Sequence, residues 1–162
     1  VTSGGVHLPW IYRLSEVWIK GDKKYICSLF YPVLSRLYEE APLQRESIRK
    51  QVLDYVAEAG PKLLDERESC VVSFLDLEAK VLNHNPRALA SLYLTRKDWP
   101  MTPEFVTMLW TVSELANEAN LKLEAHNLWN HISNKAPKDL PETKFAKARL
   151  DTHRTEFESL WE

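Results

Sequence analysis

Between Thr102 and Ser133 apolar residues return every three or four positions, and no glycine or proline interrupts the run after Pro103. That period belongs to a helix and excludes a strand here. Thr102 can cap, Pro103 suits the first helical position, and Glu104 complements the positive end of the helix dipole. Phe105, Met108, Leu109, Val112, Leu115 and Ala116 fall on one face. The stripe continues through Ala119, Leu123 and His126 to Trp129 or Ile132. The stretch therefore reads as one long helix, or as two helices broken near Asn117 to Asn120. Trp110 and Leu121 lie off the main stripe, so the helix carries apolar residues on more than one side. Such a helix is buried centrally or covers a partner.

The same period recurs elsewhere. Pro9 to Ile19 reads as a first helix, with Trp10, Ile11, Leu14, Val17 and Trp18 inward, and Gly21-Asp22 breaks it. Tyr25 to Glu39 repeats the pattern, with Pro32 as an expected kink or split. A β-hairpin around Gly21-Asp22 is the rival reading, set aside because the helical period continues on both sides. Glu46 to Ala59 is a helix with Ile48, Val52, Leu53 and Val56 inward and Arg45, Arg49, Lys50 and Glu58 outward; Gly60-Pro61 is its expected stop. Asp65 and Glu68 resemble a capping box opening a helix that carries Val71, Val72, Phe74, Leu75, Leu77, Val81 and Leu82 and ends at Asn83-His84-Asn85. Asn85-Pro86 caps a short helix with Ala88, Leu89, Leu92 and Tyr93 inward, closed by Trp99-Pro100. After a polar loop from Asn134 to Leu140, Pro141 opens a last helix, its inward face Phe145, Ala146, Leu150, His153, Phe157, Leu160 and Trp161. The expected architecture is all-α: a single-domain helical bundle or short helical stack of about seven helices over residues 9–162. Residues 1–8 are expected to be a flexible segment or an expression remnant, and the chain a piece of a larger intracellular protein.

No pattern in the chain carries recognisable chemistry. A net charge of −2 supplies no field to attract nucleic acid or a membrane surface. No stretch of 18 apolar residues occurs, so no membrane insertion is expected. Cys27 and Cys70 lack metal or redox spacing and read as reduced thiols among apolar residues, which points to cytoplasm or nucleus. His126 and His131 stand five apart, about 140° from each other round a helix, so they do not share a face as metal ligands four apart would. Four glycines leave no Gly-rich phosphate loop, and neither GxSxG nor HExxH is present. No catalytic residue, metal site or cofactor is expected, and the chain does not read as an enzyme.

Three surface readings follow. Six tryptophans are the compositional outlier. Trp99, in a loop beside Pro100 and Met101, suits an exposed anchor or a lid folded on the core. With Met101, Trp110 and Tyr93 it forms the candidate partner-binding set of a non-enzymatic protein–protein interaction or scaffolding module, the leading expectation. The alternative is an RNA- or DNA-binding helical domain using Lys138, Lys144, Lys147 and Arg154, a basic row interrupted by Asp151. A third reading is a homo-oligomerising assembly domain in which each copy presents the same apolar surface.

Overall fold

The computed structural model describes residues 31–66 and 70–161. The readings placed on residues 1–30, including the first helix, the rival hairpin and Cys27, lie outside them. The fold is all-α: seven α-helices and one 3-10 turn, with no strand among the described residues. The chain divides into two compact units, Val1–His84 and Asn85–Glu162.

The described part of the first unit comprises α1 (Tyr31–Glu40), a 3-10 turn (Pro42–Gln44), α2 (Arg45–Glu66) and α3 (Cys70–Val81). Ala41 follows the end of α1, its N–H donating to the Leu37 carbonyl at 3.0 Å before the chain turns. Ile48, Val52 and Val56, spaced by four along α2, are buried in a core with Tyr38, Leu77 and Val81. Leu53 and Arg49, expected inward and outward, are both half-buried at the edge of that face. From α3, the Lys80 ammonium donates to Ser35 Oγ and to Glu39 Oε1, each at 2.6 Å, which ties α3 to α1.

Two expectations in this unit are corrected. Gly60-Pro61 does not stop α2; the helix runs through Pro61 to Glu66. Proline's fixed φ is helical and its missing N–H removes a single backbone bond, so a long helix can carry the local penalty. Asp65 consequently lies in the last turn of α2 instead of opening the next helix. The end of α3 agrees with expectation. Asn83 and His84 take φ of 55° and 53°. Their N–H groups donate to the carbonyls of Lys80 and Ala79 at 3.0 and 2.7 Å, the double closure of a Schellman motif.

The second unit comprises α4 (Pro86–Leu94), α5 (Pro103–Glu118), α6 (Lys122–Lys135) and α7 (Pro141–Trp161). Both predicted caps form. Asn85 Oδ1 accepts from the N–H groups of Arg87 and Ala88 at 3.0 and 3.2 Å, and Thr102 Oγ1 accepts from Phe105 N–H at 3.2 Å. α5 packs on α6 and α6 on α7, with α4 against both α5 and α6. Tyr93, Phe105, Met108, Leu109, Leu128, Trp129 and Ile132 are fully buried between them. Each such aliphatic or Phe side chain contributes about 1.5–3 kcal/mol of burial.

Of the two readings for residues 103–133, the broken one holds. Asn120 turns the chain at φ 63°, and Leu121 N–H reaches back to the Ala116 carbonyl at 2.8 Å. The break resets the helical phase, so the continuous stripe is corrected. Beyond the break Leu123 is 64% exposed and the buried face of α6 restarts at Ala125, Leu128, Trp129 and Ile132; Leu115, still within α5, is 40% exposed at the edge of that helix's buried face. On α7, Ala146 and His153 are buried as expected, but Phe145 is 51% exposed. The side chains of Phe157, Leu160 and Trp161 lie outside the described residues.

Candidate functional site

Three rungs join α5 to α7 at a constant offset of 35 residues. Thr107 Oγ1 donates to Glu142 Oε1 at 3.2 Å, the rings of Trp110 and Phe145 lie 5.6 Å apart at 45°, and Arg149 donates twice to Glu114, at 3.1 and 3.0 Å. The rungs follow in the same order on both helices, so α5 and α7 run parallel, with the antiparallel α6 completing an up-down-up set. Positions 107, 110 and 114 share one face of α5, and positions 142, 145 and 149 one face of α7. The result is a surface whose centre is aromatic and whose two ends are polar. A tilted aromatic pair is worth about 0.5–1.5 kcal/mol beyond its buried area. The Glu114 and Arg149 side chains retain 23% and 46% of their exposure, so their bidentate pair adds orientation more than stability.

The other predicted contact residues divide. Tyr93 is 1% exposed and stacks at 6.4 Å on Phe105. It is a core residue, which corrects its assignment to a contact surface. Trp99 is half-buried; its ring lies 5.2 Å from Phe105 and 4.3 Å from the Arg96 guanidinium. Arg96, only 4% exposed, is also 4.8 Å from the Tyr93 ring. Trp99 thus folds back over the core at the loop between α4 and α5 and uses the arginine's flat face as a second support. Met101 is half-buried in the same loop.

The residues of the alternative reading are exposed: Lys138 in the loop before α7, and Lys144, Lys147 and Arg154 on it. Arg154 lines a groove between α6 and α7 together with Asp151, Leu123 and Leu150, so it is set apart from the two lysines by its surroundings. His126 and His131 do not converge, and no group of three or more metal-ligating side chains occurs among the described residues. No helix is long and apolar enough to cross a membrane among the described residues.

Of the rungs, the sequence reading singled out Trp110 alone. Phe145 is counted on the inward stripe of α7, and nothing in the sequence links Thr107 to Glu142 or Glu114 to Arg149. The signal that finds them is the matched spacing of three, then four, on two helices, and it becomes visible only once α5 and α7 are known to be parallel neighbours. Comparison of this chain with family models, with curated proteins and with solved structures yields no match.

Proposed function

We propose that residues 85–162 act as a non-enzymatic protein–protein interaction or scaffolding module whose contact centre is the Trp110–Phe145 pair. The observation that carries this reading is the ladder itself, an aromatic pair of exposed Phe145 and half-buried Trp110 flanked on both sides by hydrogen-bonded polar rungs. Binding hot spots have this arrangement: aromatic anchors at the centre, surrounded by polar contacts that exclude water. Phe145 in particular has no core role to account for half its surface standing in solvent.

The test is site-specific photo-crosslinking in cell lysate, with a photoreactive phenylalanine analogue replacing Phe145 and, as control, replacing the equally apolar and exposed Leu123. The expected result is a discrete set of crosslinked proteins from position 145 that survives nuclease and disappears when Trp110→Ser is added. A crosslink between two copies of the chain assigns the surface to self-association. Identical products from both positions, or products removed by nuclease, overturn the reading. The second outcome would instead favour the nucleic-acid alternative centred on Lys138, Lys144 and Lys147.

A further inference from the structure

A second groove along α6 is a different kind of site. Asn127, His131 and Lys135 are spaced by four, and with Asn130 and Asn134 they line a groove of about 350 Å³ together with Lys97, from the turn after α4. No aspartate or glutamate contributes to the lining. Neither the Lys97 nor the Lys135 ammonium has an ion-pair partner among the described residues. His131 Nε2 is buried in the wall without a hydrogen-bond partner. Two ammoniums without ion-pair partners, the His131 side chain and three carboxamides therefore line one groove with no carboxylate among them.

We propose that this groove binds a tetrahedral oxyanion of charge −2, a phosphate monoester or its inorganic counterpart. Two ammoniums match two negative charges, whereas a carboxylate would leave one of them uncompensated. The tetrahedral oxygens offer acceptors in several directions, and the lysine ammoniums and carboxamide N–H groups among the lining residues are donors. The groove is larger than a phosphate group alone, which leaves room for the carbon chain of an ester beside Leu94. The state of His131 agrees with this. Burial first, and then the charges of Lys97 and Lys135, hold its pKa below the ordinary histidine value. A dianion seated among these three groups reverses the electrostatic part and favours the charged ring.

The experiment follows the His131 imidazole resonances of the full chain by NMR through a pH titration. Sulfate is the first probe because it stays dianionic throughout, and chloride at matched ionic strength is the control. The expected result is a His131 midpoint that rises in sulfate and not in chloride, which by linkage means roughly tenfold tighter sulfate binding per pH unit of rise. The double variant Lys97→Gln, Lys135→Gln changes only exposed side chains, so helicity is retained and the response is lost. Phosphoserine binding more tightly than inorganic phosphate identifies an ester as the ligand; equal or weaker binding identifies the free ion, and either supports the site. A His131 midpoint unmoved by sulfate and phosphate, a response equal to that in chloride, or one that survives in the double variant overturns it.

Discussion

Asn120 carries the turn between α5 and α6 at φ 63°, a region that costs an ordinary L-residue about 1–2 kcal/mol. Asparagine tolerates it, and the chain, with four glycines, uses Asn83 and Asn120 where many proteins place glycine. Asn120→Ala is expected to destabilise the protein by about 1 kcal/mol, while Asn120→Gly is neutral or slightly stabilising; urea unfolding of the two variants measures the difference. Trp99 is the second informative residue. Because its ring covers Phe105 and Arg96 yet stays half-exposed, Trp99→Ala is expected to cost about 2 kcal/mol, less than the ~3–5 kcal/mol of a fully buried tryptophan. Helical circular dichroism at low denaturant should be unchanged, with only the unfolding midpoint moving.

At the scale of elements, α2 continues through a glycine and a proline that would ordinarily end it. The proline removes one backbone donor and crowds the preceding turn, a penalty of up to ~3 kcal/mol in a helix interior. Pro61→Ala is therefore expected to stabilise the protein by about 1–3 kcal/mol and to raise its thermal midpoint, as calorimetry would show. The α5–α7 ladder makes the opposite kind of statement. Its polar rungs are exposed enough that Glu114→Gln should shift stability by less than ~1 kcal/mol, because a solvated pair gains little over water. If the surface is a contact centre, that same change weakens capture at position 145 far more than it weakens the fold. A surface used for recognition and a surface used for stability separate in this comparison.

For the whole molecule, acid acts on the two units at different pH. Glu39 accepts a hydrogen bond from Lys80, and this bond, followed by the ammonium's charge, holds its carboxyl below the ordinary value of 4.5. Its contribution is fully present above that value and is lost as pH falls through the lower folded pKa. His131 is also lowered, from 6.5, chiefly by burial. A histidine held neutral has the same sign: the unfolded chain takes up the proton first, so stability begins to fall below about pH 6.5 and stops falling below the folded pKa. The expected outcome is a gentle loss of stability as pH falls below about 6.5, reduced by His131→Gln, ahead of the loss set by carboxylates such as Glu39. Urea midpoints measured across that range check it.

The all-α fold, most helix starts and the place near Asn117 to Asn120 where the long stretch could break were legible in the sequence, because each depends on residues within four positions of one another. Asn85 and Thr102 cap where their side chains reach the next free N–H groups, and Ile48, Val52 and Val56 lie inward because a helix of period 3.6 can place them nowhere else. Tertiary structure decided what local pattern does not encode. Whether Pro61 ends a helix depends on whether packing absorbs one lost bond. Phe145 stands half in solvent because its neighbour is Trp110, 35 residues away. The meeting of Lys97 with His131 and Lys135 likewise exists only once the turn after α4 packs beside α6. A helix's own period determines which side is apolar, and only its neighbours determine how much of that side is covered.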